Sequence, residues 1–368
     1  MTERRILFLL REGWAEHVGG DVIQVLKTRD ALKARGHTVH VASVLEEGDS
    51  SYDIVHITNL CRPYETCHFV KKAEKNNIPI AITPIYWDEH ALNSHKSQFG
   101  RALMIAKILI KSGLCKIEGK PFMMRENLLY HMKNFYTAYQ SRILNSVNAI
   151  LPNSYAELDM MKNILSQKQN QLIRIIPSGY DHRMFNLDKR MCMDSSPQRK
   201  VLNVARIEER KNQLRLIRAM ASTDIPVVLV GPVGDQRYAE SVFAAMKSKD
   251  EYHGGAKYEE LPSLYSSMYV HVLPSLWEAC GLATMEAAAM GCNVVTSDIP
   301  TCREYYESIA CLCDPLSEDS IRKSIMKAIQ KSVPNELNAG YVRDRFAWSK
   351  VAEMTEDAYL ETLKESCL

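Results

Sequence analysis

The chain reads as an α/β protein of two doubly wound parallel-sheet domains, on three observations: its length, its alternation of short apolar runs with amphipathic stretches, and a restart of that alternation halfway along. A length of 368 residues suits two domains of ordinary size, each able to bury its own core. Apolar residues make up 46% and charged residues 24%, with a formal net charge of +2. That balance argues against a disordered chain and against a strongly basic coat for a polyanion, so no nucleic-acid partner is expected.

In the first half, β-branched and leucine-rich runs place strands at 6–10, 38–43, 54–57, 80–83 and 149–151. A fresh series follows at 201–204, 227–230, 270–273, 293–296 and 310–313. The seam falls at Pro177-Ser178-Gly179, which gives domains 1–176 and 177–347. Apolar or aromatic residues at 348, 351, 352, 358, 359, 360 and 363 predict a terminal helix, 348–368, that packs back on the first domain. Two such sheets in tandem predict a central cleft between the carboxyl ends of their strands, where open α/β sheets collect ligands.

Thr2-Glu3-Arg4-Arg5 runs directly into the apolar residues 6–10, too short a stretch for the core of a signal peptide. A cytoplasmic protein is expected. The ten cysteines fall at no metal-ligand spacing and read as reduced, small apolar side chains. One segment departs from the average. Residues 96–145 hold nine Lys or Arg against Glu118 and Glu126, with Leu, Met, Phe and Tyr between them. Such a basic amphipathic stretch suits either a solvated helical face or peripheral contact with an anionic membrane at its inner face.

The most informative stretch is PSLWEACGLATMEAAAMGCNVVTSD, from Pro274 to Asp298. A strand ends in a Pro-Ser turn and an Ala-rich helix begins near Cys280, Gly281 and Leu282. A helix start points unpaired amides outward with partial positive charge, and a glycine lets the backbone come close to a bound phosphate. Glu278 stands just before this helix and Glu286 two turns on. Carboxylates there would bind sugar and ribose hydroxyls rather than phosphate. The same Glu-x7-Glu spacing recurs at Glu118 and Glu126, Glu251 and Glu259, and Glu353 and Glu361. Spacing alone therefore identifies nothing, and the surrounding strand, turn, glycine and helix single out this copy.

In VLNVARIEERKN, Arg206 ends a strand and Lys211 starts the next helix, so both could neutralise a departing diphosphate. Gly19-Gly20 lies between the first strand and its helix, where backbone amides could touch the same donor, although a plain strand-to-helix turn explains the pair equally. No Asp-x-Asp is present to hold a metal on a nucleotide sugar, so neither a metal nor another cofactor is expected. No Gly-x-Gly-x-x-Gly follows a strand and no P-loop occurs, which removes the main support for dehydrogenase or NTPase chemistry.

Gly19-Gly20, IIPSGYDHRMF at 175–185, VLNVARIEERKN at 201–212, the Glu278–Glu286 block and FAWSKVAEM at 346–354 together resemble the family-4 retaining glycosyltransferases over nearly the whole chain. The resemblance implies the GT-B fold, two Rossmann-like domains facing a cleft. It further implies a donor diphosphate on Arg206 and Lys211, the transferred sugar on Glu278, the ribose on Glu286 and the distal phosphate on the amides of Gly281 and Leu282. The implied partners are a nucleotide diphosphate sugar and a glycan, lipid-linked or small-molecule acceptor, in surface polysaccharide or glycolipid synthesis. Relatives retain anomeric configuration without a metal.

Two positions depart from the pattern. Many relatives carry a His-Asp pair after the fourth or fifth strand, whereas this chain reads ITPIYWDEH. Asp88 or His90 are the polar candidates for the reacting centre there, with Tyr86 and Trp87 as acceptor contacts, Trp87 as a stacking platform. Ser178 replaces the usual Asn before Gly179, a change confined to a turn. Two further functions fit the same scaffold: a non-catalytic nucleotide-sugar-binding subunit and a nucleotide-sugar epimerase.

Overall fold

The computed structural model describes residues 2–16, 19–87, 133–166, 170–192 and 197–365. The chain divides into two compact units, one of Met1–Pro177 with Val351–Leu368 and the other of Ser178–Lys350.

In the first unit all strands are parallel, in the order β2-β1-β3-β4-β5-β6. They are β1 (Arg5–Leu9), β2 (Thr38–Ala42), β3 (Ile54–Thr58), β4 (Ile80–Thr83), β5 (Ala149–Ile150) and β6 (Leu172–Ile173). The central strand β3 is buried along its whole length, which is why a near-continuous apolar run encodes it. One polar residue interrupts that run. His56 is fully enclosed, with Nδ1 2.5 Å from the Tyr359 hydroxyl and Nε2 2.8 Å from Thr83 Oγ1. Burial pushes its pKa down to about 3, so the ring stays neutral. Tyr359 lies on the terminal helix Trp348–Glu365, whose Glu356 also meets Arg35 at 2.5 Å and His37 at 3.1 Å.

The second unit repeats the plan in the order β12-β11-β10-β7-β8-β9, again all parallel. Its strands are β7 (Gln198–Val204), β8 (Val227–Val230), β9 (Glu251–Tyr252), β10 (Met268–Leu273), β11 (Asn293–Ser297) and β12 (Cys311–Cys313). Alternation splits the core between the two sheet faces. Val201, Val227, Val270 and Val295 pack with Leu216, Ile217, Ile321 and Ile325 on one face, while Leu202, Val228 and Val294 pack with Met285, Ala288 and Tyr305 on the other. Gly231, at φ +150°, is needed because a Cβ would fall 2.0 Å from the carbonyl oxygen of Ala205. Gly179 lies against Trp348, where a Cβ would come within 2.7 Å of the indole, and the preceding Ser178 amide donates to the Tyr305 hydroxyl at 3.0 Å.

The sequence reading lacks β6 and β9. Each is a two-residue edge strand, too short to form a hydrophobic run.

Candidate active site

β7 and β10 are hydrogen-bonded neighbours at the middle of the second sheet, so the loops leaving their carboxyl ends meet. After β7 the chain makes a short 3-10 turn, Glu209–Lys211, and Asn212 takes the left-handed conformation at φ +62° to open the helix Gln213–Met220. The Asn212 amide ties this turn to the loop after β10 through Pro274 O at 2.9 Å and to the loop after β12 through Pro315 O at 2.7 Å. The Leu276 amide returns a bond to Arg210 O at 2.8 Å.

This lacing brings Lys211 Nζ onto the carboxylate of Glu278 as an ion pair in which both side chains are largely buried. Ser275 Oγ donates to the same carboxylate oxygen at 3.0 Å, and Arg210 Nη1 stands 3.8 Å from it. Burial would raise the Glu278 carboxyl. The cations of Lys211 and Arg210 and the Ser275 hydrogen bond outweigh that and hold it below the ordinary carboxylate range. The Glu278 carbonyl is itself held by Thr301 Oγ1 at 2.6 Å.

Three residues on, Gly281 caps the helix Leu282–Ala289 from φ +67°, a left-handed conformation that a side chain rarely adopts. Its carbonyl accepts from Thr284 N at 2.9 Å and Met285 N at 3.2 Å. Tyr306 fixes the turn from behind, its hydroxyl 2.5 Å from Cys280 O and 3.1 Å from Gly281 O. The amides of Leu282 and Ala283 open the first turn, where a helix supplies no carbonyl partner. Thr284 Oγ1, fully buried in that turn, has no hydrogen-bond partner among the described residues.

Glu286 is buried on the same helix and receives the Tyr265 hydroxyl at 3.0 Å. Tyr258 also bonds to this carboxylate, and both phenols are pushed well above their ordinary range, first by burial and then by the Glu286 charge. His271 lies on β10, 5.9 Å from the Tyr265 ring centroid, with neither nitrogen hydrogen-bonded among the described residues. Burial and then the Lys211 charge push its pKa down to about 3.

The second unit thus gathers Lys211, Glu278, Cys280, Gly281, Leu282 and Glu286 around one helix start. Arg206 stands apart. It is exposed, its aliphatic stem lies over Gly234, and it forms no ion pair with Glu278. Arg210, Ser275, Thr301, Tyr258, Tyr265 and Tyr306 were not legible as site residues, because they arrive from separate turns and helices with no shared spacing. Arg210 alone had a signal, a second cation next to Lys211.

In the first unit, Gly19 caps the helix Gly20–Ala34, and a Cβ on it would fall 2.6 Å from Asp21 Oδ1. Arg11 pairs with that Asp21 at 3.1 Å. Tyr86 is buried and its amide donates to Glu157 Oε1 at 2.6 Å, while the preceding Ile85 holds φ +44°. A β-branched residue there is strained. Trp87 is half-buried. Asp88 and His90, together with residues 96–132 of the basic segment, lie outside the described residues. No three His, Cys, Asp or Glu side chains converge to hold a metal among the described residues.

Known proteins resemble this chain in sequence and in fold. Residues 194–342 match the family model of glycosyl transferases group 1, and that stretch lies inside the second unit. The O-antigen chain mannosyltransferase B of Escherichia coli is 26% identical over 173 residues, 43% of this chain and 45% of that protein. The serotype-specific mannosyltransferase WbdA of Escherichia coli is 27% identical over 187 residues, 47% of this chain and 23% of that protein. The match thus spans less than half the length of either relative. Among solved structures, sucrose-phosphate synthase from Thermosynechococcus elongatus superposes with a TM-score of 0.73 at 16% identity, over 97% of this chain and 98% of that one. Anabaena HepE, solved with UDP and glucose, gives 0.66 at 15% identity over 96% and 99%. The fold is GT-B, and the second unit matches the group 1 glycosyl transferase model over 194–342.

Proposed function

We propose that the chain is a retaining, metal-independent glycosyltransferase that moves a sugar from a nucleoside diphosphate donor to a hydroxyl of a surface polysaccharide or lipid-linked glycan. Mannose is the first candidate sugar, from the names of the matched relatives. The observation that carries the reading is the buried Lys211–Glu278 pair beside the Gly281 helix start, with Glu286 one helix face further on.

In this reading the amides of Gly281 and Leu282, with Lys211 and Arg206, receive the diphosphate. As the bond from the anomeric carbon to the phosphate oxygen breaks, charge grows on the leaving group, and preplaced cations favour that state over the ground state. Glu278 orients the sugar and Glu286 the ribose. The acceptor oxygen bonds to the anomeric carbon, and its proton passes to the departing phosphate oxygen, so no protein base is required. The acceptor belongs to domain 1–176, with Gly19 and Gly20 touching the donor and Tyr86, Trp87, Asp88 and His90 nearest the acceptor. The donor belongs to 177–347. The basic stretch 96–145 would hold the protein at the inner face of an anionic membrane. No described helix is long and apolar enough to cross one.

The test is nucleoside diphosphate release from a panel of nucleotide sugars with acceptor glycan, with and without EDTA, and NMR of the product anomer. Release that survives EDTA with unchanged anomeric configuration is expected. Strict metal dependence, or an inverted product, would overturn the mechanism.

A further inference from the structure

The Lys211–Glu278 pair bears on how a diphosphate is received, an inference that rests on the donor reading above. Lys211, the cation meant for the diphosphate, is already committed to Glu278, the carboxylate meant for the sugar. A diphosphate that attracts Lys211 therefore strips a buried carboxylate of its nearest cation. An uncompensated buried charge is costly, so a replacement must be at hand.

Arg210 is placed to be that replacement. Its Nη2 and Nε hold Glu208 Oε1 at 2.7 and 3.2 Å, which anchors the guanidinium. Its Nη1 points the other way, 3.4 Å from the Trp277 carbonyl and 3.8 Å from the very Glu278 oxygen that Lys211 holds. The guanidinium also lies 5.6 Å from the Trp277 ring centroid, and the Leu276 amide grips the Arg210 carbonyl at 2.8 Å. Main chain and side chain are thus fixed while one arm faces Glu278. A planar guanidinium presents donors in more than one direction and so can serve two carboxylates at once.

We propose that Arg210 is a positioning residue that takes over the Glu278 carboxylate when a nucleoside diphosphate draws Lys211 away. Glu208 keeps Arg210 in register, and Ser275 continues to donate to Glu278 throughout. The groups facing the Glu278 carboxyl are Lys211, Arg210 and Ser275, with Cys302 and Tyr306 nearby on the helix Pro300–Tyr306 and Glu208 behind Arg210. Of these, Lys211 and Arg210 are the cations.

The test is calorimetric binding of UDP, GDP and ADP to the full chain at pH 7.5, in buffers of low and high ionisation heat, for wild type, Arg210→Gln and Arg210→Lys. Wild type should bind one of the three with little proton uptake beyond the ligand's own. Arg210→Gln should bind it about tenfold more weakly and take up an added fraction of a proton, because Glu278 loses both cations on binding. Arg210→Lys should recover most of both. Equal affinity and equal proton uptake in wild type and Arg210→Gln would overturn the handover and leave the donor site standing. So would a lysine variant that behaves like the glutamine one while its circular dichroism and melting match wild type. If wild type binds none of the three diphosphates, the donor reading and the handover fall together.

Discussion

Glu65 and Glu157 in the first unit and Glu278 and Glu286 in the second are buried carboxylates near the ends of strands, and they are held differently. In the first unit Glu157 accepts from the main-chain amides of Tyr86 at 2.6 Å and Asn153 at 2.5 Å, and Glu65 accepts from the Glu12 amide at 2.6 Å with Arg62 at 3.4 Å on its other oxygen. In the second, Glu278 is held by Lys211, Arg210 and Ser275, and Glu286 by Tyr265 and Tyr258. A carboxylate bonded to backbone is committed, since the amides cannot turn elsewhere. One held by side chains can exchange partners with a ligand. By this criterion the first pair builds the fold, and the second pair suits the proposed donor site.

The largest expected effect follows from that contrast. Glu157→Ala should strand two buried amides and cost about 3 kcal/mol, read as a drop in the melting temperature of the first unit by calorimetry. An unchanged melt would mean those amides find other partners, and the distinction between the two pairs would fail.

The two buried histidines sharpen the comparison. His56 has both nitrogens hydrogen-bonded, whereas His271 has neither among the described residues. His56→Leu should therefore cost about 2 kcal/mol by leaving Thr83 and Tyr359 unpaired, while His271→Leu should fall within about 1 kcal/mol of wild type or stabilise it. Equal losses in chemical denaturation would contradict this.

Both rings share a pH dependence. Each has a folded pKa of about 3 against an ordinary 6.5. The unfolded chain binds protons that the folded one refuses, so stability should decline as pH falls below the ordinary value. At pH 5.5 each ring should cost roughly 1.4 kcal/mol relative to pH 8, and His271→Leu should remove its share. Glu278 contributes in a lower window. Its folded value is depressed, so its stabilisation is present above the ordinary carboxylate range and is lost only as pH falls through that depressed value. A flat stability between pH 8 and 5.5 would show that the rings titrate normally.

The smallest stability effect should come from Glu286→Gln, below about 1 kcal/mol, because the amide can still accept from Tyr265. Nucleoside diphosphate affinity should nevertheless fall about tenfold or more, with ribose binding weakened. A variant that melts like wild type and binds like wild type would remove Glu286 from the site.

Much of this was legible in the sequence, for physical reasons. Central parallel strands are buried on both faces, so β8 announces itself as an unbroken apolar run and β3 as one interrupted at His56. Gly281 and the helix after it were visible because a local turn needs a local glycine. The partners of Glu278 and Glu286 were not. Ser275 is near in sequence, but Tyr265 acts across 21 residues and Lys211 across 67, and no periodicity links such positions. Nothing in the sequence sets the direction of Arg210, which comes from the Trp277 carbonyl and Glu208.

The terminal helix orders events during synthesis. His56 sits on β3, yet its Tyr359 partner and the Glu356 that joins Arg35 and His37 come only after the whole second unit in sequence. The second unit can close while the first still waits for its last helix. During synthesis the second unit should therefore become protease-resistant before the first unit does.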